Sequence, residues 1–204
     1  MKNTIHVTLY LNREKMNFLS FLPLLQREFL VETKGGRSIK DLLCETYDVD
    51  EDYLKNRINT LFLDGKPVDD VEATTVNIGS TVALSAAMPG LVGATLRKGG
   101  SLANFRSNIS YDGKSASAET IRVGRVGIKL FNMVVNEIGP VFLKQGVLVR
   151  KEDFESFFND RTEILRSITN SSEKDGQPIA LDQLAAMGWP ATSEYVFLKV
   201  VLQP

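Results

Sequence analysis

The dipeptide Asp64-Gly65 stands between two short apolar runs, Thr60-Leu61-Phe62-Leu63 and Pro67-Val68. A common two-residue connection between strands has left-handed backbone at both positions, which Asp tolerates and Gly adopts freely, so this pattern predicts a tight antiparallel hairpin. The next strand comes soon after. Thr75-Val76-Asn77-Ile78 leads into a Gly79-Ser80 turn, and Thr81-Val82-Ala83-Leu84 reads as a buried strand. The chain then turns at Met88-Pro89-Gly90 and runs through small residues to Arg97-Lys98-Gly99-Gly100.

Residues upstream of the hairpin complete a pattern. Alternation over residues 5–11 predicts a strand, and residues 27–33 predict a second, ended by Gly35-Gly36. Residues 18–25, broken by Pro23, read as a turn or short helix. Ser38 is a suitable N-cap, with Asp41 three positions on and Ile39, Leu42 and Leu43 at helical spacing. A second helical piece is expected over residues 50–58. Strand, strand, helix, strand, short strand, strand is the order of a β-grasp fold, a mixed sheet gripping one helix.

The run Phe62-Leu63-Asp64-Gly65-Lys66-Pro67-Val68, followed by Val76-Asn77-Ile78-Gly79-Ser80-Thr81-Val82-Ala83-Leu84, resembles the second half of the ThiS/MoaD-type sulfur carriers, which are ubiquitin-like β-grasp proteins. The resemblance covers residues 1–100. It implies a carrier tail at Gly99-Gly100, whose carboxylate an adenylating activating enzyme would load with sulfur. Here Gly100 lies in a peptide bond, so that chemistry requires cleavage after it. Continuation from Pro89-Gly90 through Gly93 and Ala94 to Arg97 departs from the family's tail.

Past Gly100 the sequence resembles no family. A stripe of Ile121, Gly124, Ile128, Phe131, Val135 and Ile138 predicts a helix over residues 117–137 ended by Gly139-Pro140. A strand is expected at 147–149, a helix over 151–168 with Phe154, Phe157, Phe158, Leu165 and Ile168 inward, and a loop over 171–177. A short helix over 181–187 and a strand over 195–202, apolar on both faces, complete the chain. The expected class is α+β: an N-terminal ubiquitin-like β-grasp domain (1–93), a connecting arm (94–116), and a small α+β domain (117–204).

Charge is unevenly placed. Residues 97–130 carry seven Lys/Arg against two Asp/Glu, between two mildly acidic flanks. That segment supplies candidate anion or partner contacts at Arg97, Lys98, Arg122, Arg125 and Lys129, beside Pro89 and Gly90. Gly124-Arg125-Val126-Gly127 has the Gly-x-x-Gly form of a nucleic-acid clamp, but helical periodicity runs through it. The single cysteine, Cys44, excludes an internal disulfide, and with His6 the only histidine a multi-ligand zinc site is not expected. The run Asp48-Val49-Asp50-Glu51-Asp52 lacks the glycine and distal glutamate of a calcium loop and reads as a helix start. Trp189 reads as a core plug.

No nucleophile–base pair or metal-ligand cluster emerges, so neither an enzyme nor a cofactor is expected. No apolar run is long enough for a transmembrane helix and no signal peptide is apparent, which places the expected protein in the cytoplasm. The leading expectation is a non-catalytic β-grasp protein working through an unidentified protein partner. The alternatives are a sulfur-carrier precursor cleaved at Gly100 and an anion- or nucleic-acid-binding protein using the basic middle.

Overall fold

The computed structural model describes residues 4–15, 17–106, 109–111, 122–190 and 192–204. In chain order these form β1 (Ile5–Asn12), α1 (Leu22–Leu25), β2 (Phe29–Lys34), β3 (Arg37–Ser38), α2 (Glu51–Asn56), β4 (Thr60–Leu63), β5 (Lys66–Pro67), β6 (Thr75–Val76) and β7 (Thr81–Ser85). Then come α3 (Gly90–Leu96), β8 (Val123–Phe131), α4 (Val134–Gln145), β9 (Val147–Arg150), α5 (Lys151–Ile168), β10 (Thr169–Lys174), β11 (Gln177–Ile179), α6 (Leu181–Ala186) and β12 (Tyr195–Gln203). The mixture is α+β, the class expected.

The chain divides into two compact units, one of residues Met1–Phe29 with Phe142–Pro204 and one of Leu30–Val141. That division differs from the one expected at 93 and 116. The reason lies in β1. Its residues Ile5, Val7, Leu9 and Leu11 are buried, as alternation predicts, but its partners come from the far end of the chain. It pairs in parallel with β12 (Val7 opposite Leu198) and antiparallel with β10 (Leu9 opposite Ser172).

In this first unit β12 lies between β1 and β9, the mid-sheet place its apolar pattern predicts, and buries one face, Val196, Leu198 and Val200. Helix α5 has the expected bounds, and all five residues expected inward are buried. Phe154 carries Trp189 edge-on at 5.0 Å between ring centres. The expected loop over 171–177 is instead a hairpin of β10 and β11, turned at Asp175-Gly176 with φ of 51° and 76°.

The second unit holds β2, β8, β7, β4 and β5 side by side in that order, with β3 and β6 as a separate antiparallel pair. The Asp64-Gly65 hairpin forms as expected, with φ of 50° and 78°. Ser38 Oγ accepts the Asp41 N–H at 3.0 Å, and a π-helical turn, Asp41–Thr46, comes next with Leu42 and Leu43 buried. Asp50 Oδ1 accepts the Tyr53 N–H at 2.8 Å, so the acidic run starts α2.

The helix expected over 117–137 does not form over that span. Residues 112–121 lie outside those described, residues Val123–Phe131 are a strand, and the helix begins at Val134. Apolar residues at 126, 128 and 130 satisfy a period of two as well as they contribute to a helical stripe, and all three are buried. Pro140 does not end α4 but sits inside that twelve-residue helix.

Candidate functional site

The outer face of the second unit's sheet follows from its strand parity. Val82 and Leu84 of β7 point to the core, which turns Thr81, Ala83 and Ser85 outward. The same alternation turns Phe62 of β4 and Arg125, Lys129 and Phe131 of β8 outward. Register sets these in rows: Phe62, Ala83 and Lys129 lie side by side, and Thr60, Ser85 and Phe131 form the next row. Small residues on the middle strand between larger ones on its neighbours leave a groove of about 700 Å³. Met88 and Pro89 overhang one side.

The groove is held open by polar contacts beneath and beside it. Asn132 Nδ2 donates to Ser85 Oγ at 3.1 Å and to the Ala87 carbonyl at 3.0 Å, which fixes the chain leading to Met88. Asp64 accepts from Ser80 Oγ at 2.9 Å and from the Thr81 N–H at 2.7 Å, so its carboxylate is spent on the fold. Apolar exposure gathers nearby: Phe131 is 48% exposed, and Leu91 and Val92 on the first turn of α3 are 75% and 64% exposed.

Beyond Pro89 the chain forms α3, so the connecting arm expected from residue 94 begins inside a helix. Pro89 is the N-cap of α3 and Gly90 its first residue, with φ of 76°. Gly93 is obligatory, because a Cβ there would stand 1.8 Å from the Met88 carbonyl oxygen. The Gly99-Gly100 pair is a tied turn. The Gly99 N–H donates to Asp69 Oδ1 at 2.8 Å, and the Gly100 N–H to the Arg97 carbonyl at 3.1 Å. Lys98 is held twice, by its N–H to the Asn59 carbonyl (2.6 Å) and by Nζ to the Leu54 carbonyl (2.8 Å). Burial lowers its pKa.

Arg106 locks this turn. It is 4% exposed, and its guanidinium donates to Asp69 (2.6 Å), the Thr95 carbonyl (2.7 Å) and Ser110 Oγ (2.7 Å). The sequence offered no sign of that role; Arg106 reads there as one more member of a basic run. Beside the turn a recess of about 460 Å³ is lined by Lys55, Asn56 and Asn59 with Arg97, Lys98 and Gly100.

The candidate contacts therefore separate. Pro89 and Lys129 meet at the groove, whereas Arg97, Lys98, Gly99 and Gly100 line the recess. Arg125 lies 3.8 Å from Glu32 on β2, and the Arg122 carbonyl accepts the Gly35 N–H at 3.0 Å. Arg125 and Lys129 share a face because they are four apart in a strand, rather than on a helix. The Gly-x-x-Gly segment is wholly inside β8, with Gly124 packed against Ile78. Cys44 sits in the π-helical turn, where burial and then Glu51 push its thiol pKa up, the opposite of an activated nucleophile. His6 is an exposed strand residue, 4.9 Å from the Phe197 ring.

No helix among the described residues is long and apolar enough to cross a membrane. Compared with protein families, curated proteins and solved structures, the chain finds no match in any of the three.

Proposed function

We propose that this is a non-catalytic protein–protein interaction protein whose second unit is a ubiquitin-like β-grasp module, docking a partner in the groove over Ala83. The strand order β2-β8-β7-β4-β5, with β7 and β8 parallel, supports the module. So does the helical segment that comes after β2 and the β3 turn. The Gly35–Arg122 bond brings the end of β2 to the start of β8. In this reading β8 takes the place of the strand that opens a β-grasp, so the motif is permuted: its first strand comes last, and the segment 5–11 is not part of it.

The observation that carries the docking reading is the apolar groove itself. Phe62, Ala83, Met88, Pro89 and Phe131 line it, and isolated apolar residues need no explanation whereas a contiguous concave patch does. The occupant we infer is an extended partner segment with apolar side chains, because the groove is a channel along a small-residue strand. Selection of random linear peptides on the full chain tests this. Enriched peptides are expected to lose binding to Phe131→Glu, a half-exposed position, with circular dichroism checking that the variant keeps the fold. No enrichment, or enrichment indifferent to that change, contradicts it.

The carrier alternative needs Gly100 freed as a chain end. Its N–H is bonded to Arg97, and its carbonyl accepts the Ala103 N–H at 3.0 Å, so cleavage there must first undo an ordered turn. Those bonds weigh against it.

A further inference from the structure

The groove and the basic recess both border a third recess. This smaller recess, of about 250 Å³, lies between them, sharing Met88 with the groove and Asn59, Ala94 and Arg97 with the basic recess. Read as one path, the three recesses make a trench that runs past Met88 and along Gly93 and Ala94 of α3. Its middle is walled by Thr60, whose buried Oγ1 has no hydrogen-bond partner among the described residues. Its chemistry changes along its length. At the groove end the lining is mostly apolar. At the other end Lys55, Arg97 and Lys98 line the recess with Asn56 and Asn59, and among the described residues no carboxylate does.

Two of these cations are uncommitted. Lys98 spends Nζ on the Leu54 carbonyl, but the charged groups of Lys55 and Arg97 have no partner among the described residues. Lys55 and Arg97 are exposed, and like charges gathered along one concavity attract anionic groups more strongly than the same charges spread over a convex face. The far end of the trench has a boundary. The adjoining recess shares Lys55 and Lys98 and adds Lys40, which pairs with Glu51 and Glu72, but its five carboxylates (Glu51, Asp52, Asp69, Asp70 and Glu72) outnumber these three cations. Carboxylates on a ligand are favoured as far as Lys55 and repelled beyond it.

Resting on the docking reading above, we propose that the partner is an extended protein segment in which apolar side chains are followed by acidic ones, lying along the trench with its apolar part over Ala83 and its carboxylates at Lys55 and Arg97. The sequence alone pointed to Arg97 and Lys98 as anion contacts. The fold adds Lys55 from α2, and it detaches Arg122 and Arg125.

Peptides selected at random on the full chain provide the probe, with affinities measured by fluorescence anisotropy. Enriched sequences are expected to carry Asp or Glu to one side of the apolar residues. Changing those acids to Asn or Gln should weaken binding about tenfold, as should Lys55→Glu with Arg97→Glu. A peptide with Lys in place of its acids should recover affinity for that double variant. Phe131→Glu should weaken every selected peptide. If selected peptides need Phe131 but show no acidic preference and ignore the double variant, this inference fails while the docking reading stands. If acidic peptides need Arg97 and ignore Phe131, the continuous trench is wrong. If nothing binds in a Phe131-dependent way, both readings fall.

Discussion

Gly124 and Gly146 show how single atoms fix this structure. A Cβ on Gly124 would stand 2.4 Å from Ile78 Cγ2, so this strand glycine makes room for a side chain. Gly124→Ala is expected to destabilise by about 1–3 kcal/mol, through overpacking. Gly146 combines φ of 104° with a Cβ position 2.1 Å from the Phe197 ring, so Gly146→Ala should lower the thermal midpoint further than Gly124→Ala. Thermal melts of the two variants check both the direction and the order. Tyr47 gives a pH signature at the same scale. Burial, and Glu32 beside it, push its phenol up to about 12, and its hydroxyl donates to the Glu32 carbonyl at 3.0 Å. The folded state therefore holds this proton more tightly than the unfolded chain, whose tyrosines titrate near 10. Its contribution of about 2–3 kcal/mol is fully present below pH ~10 and is lost as pH rises through about 12. Urea denaturation across pH 9–12 should show that fall, and Tyr47→Phe should remove its share while leaving that of Tyr53, whose phenol is also raised, by burial first and then by Glu137.

Elements with a strong local cause were legible in the sequence. Helix α5 was, because five of its six apolar residues over 18 positions keep one helical face. The Asp64-Gly65 hairpin was, because turn chemistry and apolar runs agree. The Asp175-Gly176 hairpin has the same turn chemistry but flanks of Thr-Asn-Ser-Ser-Glu-Lys, where no apolar alternation announces a strand. Its pairing is decided by β1, which lies far away in the sequence. Strand β8 was hidden for the opposite reason, since its apolar residues fit two periods and only the neighbouring β7 selects one. The candidate site divided likewise: Pro89, Arg97 and Lys98 could be named from composition and turns, but Ala83, Phe131 and Lys55 become site residues only through register and recess. The 90–110 segment offers a test at this scale. Arg106 is a buried cation joining four neighbours, so Arg106→Gln should release the turn and cost about 2–3 kcal/mol. Limited trypsin digestion followed by mass spectrometry should show the bond after Lys98 cut rapidly in the variant and slowly in the parent. Equal rates would mean the turn is not held by Arg106.

At the scale of the whole molecule, the first unit is built from both ends of the chain. A fragment of residues 1–100 therefore keeps β1 but loses β10 and β12, the strands on either side of it. Such a fragment is expected to show poorly dispersed amide signals for residues 5–12, whereas an independent β-grasp domain over 1–93 would keep them dispersed. The groove belongs to this scale too, because it exists only where β4, β7 and β8 meet under the chain leaving β7. The most direct measurement is a titration of the isotope-labelled full chain with a selected peptide, monitored by amide shifts. The largest changes are expected at Ala83, Ser85, Phe131 and Asn132, extending past Thr60 to Arg97, with the residues of β1, β10 and β12 unmoved. Changes centred on the first unit, or none at a peptide concentration that saturates binding, would contradict docking in the groove.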